Sequence, residues 1–142
     1  MANNHLIADI SQKALLVQNG RVLIVMDAAG DWELPGGRLD VGEKPEEGLQ
    51  RELREELDLT VEPQSIVSVF PCTSRTGHAH FTVVWRCRAA GDLDTIAIDG
   101  DEVREARWVT PSECESLPMN YAGQLEAIRK YFQAGELATD GS

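Results

Sequence analysis

The chain has 142 residues, of which 42% are hydrophobic and 26% charged, a composition typical of one soluble globular domain. No apolar run approaches the roughly 18 residues that a membrane-spanning helix needs, and the first residues lack the pattern of a signal peptide. The formal net charge of −11 repels a phosphate backbone, which disfavours sequence-independent binding to nucleic acid. We therefore expect a single cytoplasmic domain over residues 1–135 with a flexible tail over 136–142, and no nucleic-acid polymer or membrane as partner.

The three cysteines, Cys72, Cys87 and Cys114, are odd in number and widely spaced. A disulfide framework needs an even set, and a zinc site usually shows closely paired ligands. We therefore expect reduced, partly buried thiols in a reducing compartment.

The first predicted element is a β-hairpin. Two apolar runs, Ala14–Val17 and Val22–Val25, flank Asn19–Gly20, a strong signal for a two-residue turn. Residues 28–31 are predicted to be a loop. The next segment, Trp32–Gly37, reads as a short extended piece that ends in a flexible turn.

The next element is a helix, predicted over Pro45–Leu57. Proline suits the first helical position, and Glu46 and Glu47 favour the positive end of the helix dipole. Asp58 follows the helix and is one of the few non-glycine residues that tolerate a left-handed conformation at a helix end. An apolar stripe recurs every fourth residue and consists of Leu49, Leu53 and Leu57.

The second half of the chain predicts strands followed by helices. Ser65–Phe70, His80–Arg88 and Val103–Val109 are strand candidates, and the alternating pattern is clearest in the second. Thr110–Glu113 fits a capping box that starts a short helix, and Asn120 is expected to cap a last helix. The order of elements predicts an α+β fold with helices packed on a mixed sheet. The apolar face of the last helix is formed by Tyr121, Leu125, Ile128 and Phe132.

Three acids of the first helix are expected to share one face. Glu52, Glu55 and Glu56 stand at i, i+3 and i+4, within an arc of roughly 100°. Their mutual repulsion disfavours a helix unless a hard divalent cation, which prefers carboxylate oxygens, binds them. Gly48 lies one turn earlier on this face, where it leaves room for a loop, a metal or a phosphate, although an incidental small residue is an equal alternative. A solvated acidic face is the competing interpretation of such charge runs.

A longer pattern surrounds these acids. The order Gly, five residues, Glu, seven residues, Arg-Glu-aliphatic-x-Glu-Glu-x-Gly-aliphatic is matched by Gly37, Glu43, Arg51, Glu52, Leu53, Glu55, Glu56 and Leu59. Asp58 departs from it, because the pattern has glycine there. Trp32–Gly37, Asp101–Val103 and Trp108–Val109 resemble the segments that flank this pattern, so the resemblance covers most of residues 13–132. The sequence thus resembles the compact, MutT-like members of the Nudix hydrolase family.

This resemblance implies an α/β/α sandwich and an enzyme that depends on Mg²⁺, with Mn²⁺ as a substitute. The implied reaction is attack of water on one phosphorus of a diphosphate linkage in a nucleoside di- or triphosphate derivative. Glu43 and Arg51 are expected to orient the cluster. The implied metal ligands are the carbonyl of Gly36 and the carboxylates of Glu52, Glu55 and Glu56. The candidates for the general base are Glu52, Glu55, Glu56 and Glu102.

The substrate contacts are the part of the site that the sequence predicts least clearly. Arg38, Arg75 and Arg86 are candidate phosphate contacts, and Phe81 is a candidate for stacking a nucleobase, although single surface arginines are more often solvated charges. The expected partner is a small nucleoside diphosphate-type molecule, and a homodimer is an open expectation. The alternative functions are a nucleotide-binding regulator that has lost catalysis, which the intact acids disfavour, and an acidic interaction module.

Overall fold

A computed structural model describes residues 4–91, 93, 96–97 and 103–140. Glu102 lies outside the described residues, so its role stays a prediction. The helices are Pro45–Leu57 (α1), Pro111–Ser116 (α2) and Ala122–Asp140 (α3). The strands, in chain order, are Asp9–Leu15 (β1), Val17–Gln18 (β2), Arg21–Met26 (β3), Trp32–Glu33 (β4), Gly36–Arg38 (β5), Thr60–Thr73 (β6), Ala79–Ala90 (β7) and Glu105–Val109 (β8).

Within the described residues, the strands form two sheets. The first has the order β5-β1-β7-β6; β1 runs parallel to β7, and the other pairs are antiparallel. This is the mixed sheet that the sequence predicted. In the second sheet β3 pairs with β2, β4 and β8, all antiparallel.

The predicted hairpin is correct at its turn and wrong in its first strand. Asn19 and Gly20 have φ values of 53° and 73°, the positive angles that such a turn requires, and β2 pairs with β3. Ala14 and Leu15 instead belong to β1, which pairs with β7 and β5 in the other sheet. The apolar run is buried on both sides, so its pattern could not show which strand it joins.

Neighbouring residues of the central strands face two different cores. Ala14 and Leu16 pack with α1, whereas Leu15 packs with α2 and α3, for example against Ile128. Because helices cover both faces of the sheets, the molecule is an α/β/α sandwich. The predicted stripe of α1 is fully buried, and each of its leucines contributes about 1.5–3 kcal/mol to folding; it consists of Leu49, Leu53 and Leu57.

Both ends of α1 are where the sequence placed them. Pro45 occupies the first turn, and Leu57 is the last helical residue. Asp58 adopts the left-handed conformation, with φ 52° and ψ 36°, and its backbone N–H donates to the carbonyl of Arg54 at 3.0 Å. The aspartate therefore ends the helix in the way that glycine does in the family pattern.

Strand β6 is longer than predicted, because it starts at Thr60 and ends at Thr73 instead of spanning Ser65–Phe70. Pro63 and Pro71 lie within it. Proline lacks the N–H that a central strand needs, but it is tolerated in the edge position that β6 holds in the sheet order. The remaining predicted strands shift only at their ends.

The C-terminal helices differ in how they begin. The capping box of α2 is confirmed, because the hydroxyl of Thr110 accepts from the N–H of Glu113 at 3.2 Å and the Glu113 carboxylate accepts from the N–H of Thr110 at 3.2 Å. The predicted cap of α3 is wrong. Asn120 instead donates its side-chain amide to Asp27 and Glu33, at 3.4 and 3.5 Å.

Helix α3 continues to Asp140, into the segment for which the sequence suggested a tail. Among the residues described, no helix combines the length and the apolar character that crossing a membrane requires.

Candidate active site

A cavity of about 340 Å³ lies where β1, β5, α1, the β6–β7 pair and the start of α3 meet. Its size is at the small end of the range of ligand pockets. It brings together four residues predicted from the sequence, namely Gly36, Arg38, Glu52 and Glu56. Its complete lining is Ser11, Lys13, Glu33, Gly36, Gly37, Arg38, Glu52, Glu56, Cys72, His80, Thr82, Tyr121 and Gln124.

Glu52 reaches this cavity beside the backbone of Gly37. A Cβ atom on Gly37 would lie 2.5–2.7 Å from the carboxylate carbon and oxygens of Glu52, closer than atoms can approach. Glycine at this position therefore keeps the space that the carboxylate occupies. The side chain of Glu52 is 13% exposed, and it accepts a hydrogen bond from Arg51 at 3.1 Å.

Glu56 lies deeper in the same cavity and is buried. Its carboxylate accepts a hydrogen bond from the backbone N–H of Gly36 at 3.3 Å. Burial, with a smaller contribution from the charge of Glu52, raises the pKa of Glu56 to about 8, although Lys13 and the Gly36 N–H oppose the rise. The charged form of Glu56 is therefore disfavoured in this cavity, and additional positive charge close by would stabilise it.

Gly36 itself is fixed by its contact with β1. Its φ is 144°, and a Cβ atom there would lie 2.0 Å from the carbonyl oxygen of Gln12. A side chain is incompatible with both the angle and the space. Glycine at position 36 therefore allows the backbone to approach β1 and to present its N–H to Glu56.

A buried ion pair forms part of the cavity wall. The ammonium of Lys13 donates to the carboxylate of Glu33 at 3.3 Å. Burial on its own would lower the pKa of Lys13, but the charges of Glu33 and Glu56 outweigh it and raise that pKa above its usual value. The sequence did not predict this pair; the available signal was a single lysine directly before the apolar run that starts at Ala14.

Arg51 joins the acids on the outer side of α1. Its Nε donates to Glu43 at 2.7 Å, and one terminal nitrogen donates to Glu52 at 3.1 Å and to Glu55 at 3.2 Å. The other terminal nitrogen lies 3.3 Å from Asp40. The hydrogen bonds from Arg51 hold the pKa of Glu43 below its usual value. Arg51 therefore fixes the loop that precedes the helix as well as two acids of the helix.

Glu55 differs from its two neighbours in exposure. Its side chain is 57% exposed, and it lies at the rim beside Arg51 and outside the cavity lining. Gly48, one turn earlier, faces a loop: a Cβ atom there would be 2.6 Å from the Leu39 side chain and 3.2 Å from Glu43. The small size of Gly48 therefore allows this loop to approach the helix closely, which is one of the roles that the sequence suggested for it.

The four candidate substrate contacts lie in different places. Arg38 lines the cavity and pairs with Asp9 at 3.1 Å. Arg75 pairs with Asp31, and Arg86 lies over the ring of Tyr131, 5.7 Å from its centroid. Neither of these two arginines lines the cavity, and the lining also does not include the fourth candidate, Phe81.

The ligand chemistry of the site fits a hard divalent cation. Glu52 and Glu56 offer carboxylate oxygens to one cavity, and the glycine backbone beside them leaves space free. In the described part of the chain, no three carboxylate, imidazole or thiolate groups already converge in the way a bound metal needs. Glu52 and Glu55 contact the Arg51 guanidinium at 3.1 and 3.2 Å.

Gln124 is a further cavity residue that the sequence did not predict. It is fully buried at the start of α3, and its side-chain oxygen accepts from the backbone N–H of Leu34 at 2.7 Å. Among the residues described, its side-chain nitrogen is a buried polar atom without a hydrogen-bond partner. A polar residue within the apolar pattern of α3 was the signal available.

Comparisons with known proteins identify relatives of this chain. A "MutT-like protein" from Streptomyces ambofaciens is 35% identical over 97 residues, which cover 68% of this chain and 59% of the relative. The human "8-oxo-dGDP phosphatase NUDT18" is 33% identical over 98 residues, which cover 66% of this chain and 29% of the relative. The chain thus spans less than two thirds of the length of these relatives.

Solved structures show the same fold. A Nudix hydrolase structure from Nitrosomonas europaea superposes with a TM-score of 0.79 over 90% of each chain, at 18% sequence identity. The NUDIX domain family model matches residues 7–131, a range that includes the cavity residues described above. This chain therefore belongs to the Nudix family.

Proposed function

We propose that this protein is a pyrophosphohydrolase that uses Mg²⁺, or Mn²⁺ in its place, to cleave a diphosphate linkage in a nucleoside di- or triphosphate derivative. The observation that carries the proposal is the shared cavity of Glu52 and Glu56, which the Gly36–Gly37 backbone and Arg38 complete. The names of the relatives, which include an 8-oxo-dGDP phosphatase, support a nucleotide as the substrate.

In the proposed reaction the oxygen of water forms a bond to phosphorus while the bond to the bridging oxygen breaks. A nucleoside triphosphate then gives a monophosphate and pyrophosphate, and a diphosphate gives a monophosphate and phosphate. The cation, when bound, supplies the charge that neutralises phosphate oxygens and lowers the pKa of water. Glu52 and Glu56 would hold it from within the cavity and Glu55 from the rim. Arg38, which lines the cavity with a largely exposed side chain, would neutralise phosphate oxygens.

The proton of the attacking water requires a base. Glu52, Glu55, Glu56 and Glu102 remain the candidates, and Arg51 would fix the first two in position through its hydrogen bonds. Normal turnover and normal metal dependence of Glu102→Gln would exclude a catalytic role for that residue.

The experiment is a panel of nucleotides incubated with Mg²⁺, with release of phosphate and pyrophosphate measured separately. We expect turnover of at least one nucleotide. Glu55→Gln and Glu56→Gln should each lower it by at least ~10²-fold, the scale of losing a base or a charge that stabilises the transition state. Glu47→Gln is the matched control, because Glu47 lies on the same helix and is exposed.

Two outcomes would overturn the proposal. A loss of less than about threefold in both Glu55→Gln and Glu56→Gln would remove these acids from the mechanism. Stabilisation by nucleotides without turnover, in Mg²⁺ and in Mn²⁺, would identify a nucleotide-binding regulator on the same fold.

A further inference from the structure

Lys13 places a positive charge in the cavity where the proposed function requires a cation. Its side chain is 8% exposed, whereas that of Arg38, which also lines the cavity, is 65% exposed. Water and salt screen an exposed charge strongly and a buried charge much less. The charge of Lys13 therefore acts on any ion in the cavity with little screening.

The sheet register places Lys13 beside an acid that would hold the cation. Lys13 lies opposite Gly36 in the pairing of β1 with β5, and the N–H of Gly36 donates to the Glu56 carboxylate at 3.3 Å. The opposite charges of Lys13 and Glu56 interact. The ammonium and the proposed ligand therefore belong to the same part of the cavity wall.

The ammonium of Lys13 is retained in this position. Its hydrogen bond to Glu33, at 3.3 Å, ties it to the wall. Burial acts to lower the pKa of Lys13, but the charges of Glu33 and Glu56 raise that pKa above its usual value. Lys13 is therefore a permanent positive charge at neutral pH.

A permanent ammonium opposes the binding of a second cation to the same acid. It attracts the Glu56 carboxylate in the free protein, and it repels a divalent ion that approaches that carboxylate. The repulsion acts on a charge of +2 twice as strongly as on a proton. Removal of the ammonium should therefore strengthen metal binding whether or not a proton competes for the acid.

We propose that Lys13 lowers the affinity of the free protein for Mg²⁺ and Mn²⁺. The inference rests on the proposed function and adds a residue that regulates its metal site. Lys13 acts through the charge that it places beside Glu56 and not as a ligand. The lysine thereby raises the concentration of free Mg²⁺ that the proposed hydrolase requires.

The test measures the binding of Mn²⁺ alone, without nucleotide, by electron paramagnetic resonance of the free ion and by calorimetry. Lys13→Gln is the decisive variant, because glutamine keeps an N–H donor for Glu33 and removes the charge. We expect its Kd for Mn²⁺ to be at least ~10-fold lower than that of the wild-type protein at the same pH and ionic strength. A merely structural role predicts the opposite, since a disturbed cavity binds a cation less tightly.

Two further variants separate local charge from net charge and from geometry. Lys130→Gln is the matched control, because Lys130 is exposed on α3 and its loss changes the net charge equally; its Kd should stay within about twofold of the wild-type value. The combined Lys13→Met and Glu33→Gln change replaces both members of the buried pair by neutral side chains, an exchange that proteins often tolerate. It removes a negative charge as well, so its Kd should be higher than that of Lys13→Gln.

The results decide as follows for the decisive variant. Equal or weaker Mn²⁺ binding by Lys13→Gln than by the wild-type protein, or no binding by either, would overturn the inference. A higher KM for nucleotides at unchanged Mn²⁺ affinity would identify Lys13 as a phosphate contact instead. If Lys13→Gln is unfolded without metal, circular dichroism during a Mn²⁺ titration decides: refolding at concentrations that saturate the wild-type protein supports the inference, and no refolding there overturns it.

Failure of the inference is distinguishable from failure of the proposed function. Tighter Mn²⁺ binding by Lys13→Gln without hydrolysis of any nucleotide would support the role of Lys13 and exclude the hydrolase. Hydrolysis by the wild-type protein with equal Mn²⁺ affinity in Lys13→Gln would do the reverse. Where both hold, half-maximal turnover of Lys13→Gln should require less Mg²⁺ than that of the wild-type protein.

Discussion

At the scale of single residues, Arg51 is the cation shared by the acids around the helix. Its planar guanidinium contacts Glu43, Glu52 and Glu55 at 2.7–3.2 Å, a geometry that the single ammonium of lysine cannot reproduce. We expect Arg51→Lys to lower activity about 10–100-fold, the usual range for residues that orient metal ligands. Because the acids lose their alignment, half-maximal activity should also require more Mg²⁺.

A titration of activity with Mg²⁺ measures both effects of this change. Arg54→Lys is the control, since Arg54 is exposed on the same helix. Equal behaviour of the two variants would show that Arg51 contributes no more than surface charge.

The cysteines permit a second test at this scale. Burial raises the pKa of Cys87 to about 12 and that of Cys114 to about 11, whereas Cys72 is half-buried and lines the cavity. The thiolate is the reactive form. At pH 8 we therefore expect iodoacetamide to modify Cys72 first, and a bound nucleotide to slow this modification.

Mass spectrometry of the native protein, with and without Mg²⁺ and nucleotide, measures the labelling at each position. The unfolded protein should react at all three cysteines. Faster labelling of Cys87 or Cys114 than of Cys72 in the native state would contradict the burial described above.

At the scale of secondary structure elements, the turn between β4 and β5 depends on one glycine. Gly36→Ala would combine a strained φ with a clash against the Gln12 carbonyl, whereas Gly42, also at positive φ, has open space around it. We expect Gly42→Ala to lower the free energy of unfolding by about 1–2 kcal/mol, the cost of the backbone angle. Gly36→Ala should lower it by clearly more, because β1 and β5 must separate.

Urea denaturation of both variants gives the comparison. Similar values for Gly36→Ala and Gly42→Ala would show that β5 can move away from β1 at little cost, and that position 36 needs glycine only for its backbone angle.

The elements also show what could be predicted from the sequence. Helix α1 was predicted to the residue because its stripe, its proline and Asp58 are local signals. The first strand of the hairpin was assigned to the wrong partner, because Ala14 pairs with Trp85 and no local pattern encodes so distant a contact. Strand β6 was predicted too short, since its prolines argue against a strand except at a sheet edge.

The site was predictable from the sequence only in part. Glu52 and Glu56 were predictable because spacing on one helix determines their common face. Lys13, Glu33 and Gln124 come from three different elements, so only the tertiary structure brings them to one cavity. A polar residue in an apolar stretch marks each of these three positions in the sequence. The sequence does not show that the three side chains lie close together.

At the scale of the whole molecule, the net charge of −11 predicts that bound cations stabilise the fold. A specific cation at 100 times its dissociation constant adds about 2.7 kcal/mol to the free energy of unfolding. We expect Mg²⁺ to raise the thermal midpoint of the wild-type protein, and the combined Glu52→Gln and Glu56→Gln change to remove most of this increase.

Differential scanning calorimetry at constant ionic strength, with NaCl replacing MgCl₂ in the reference, separates binding from screening. An equal increase in the wild-type protein and in the double variant would indicate general screening of surface charge and would leave the carboxylates without a metal-binding role.

The parallel pairing of β1 with β7 has a consequence for biosynthesis. Lys13 pairs with Val84, which the ribosome adds about 70 residues later. At ribosomal rates this delay is several seconds. During that interval β1 can pair only with β5 and its other edge has no partner strand, and loop closure over such a distance is slow for any sheet. The half-made chain is therefore the form most exposed to aggregation and most dependent on chaperones.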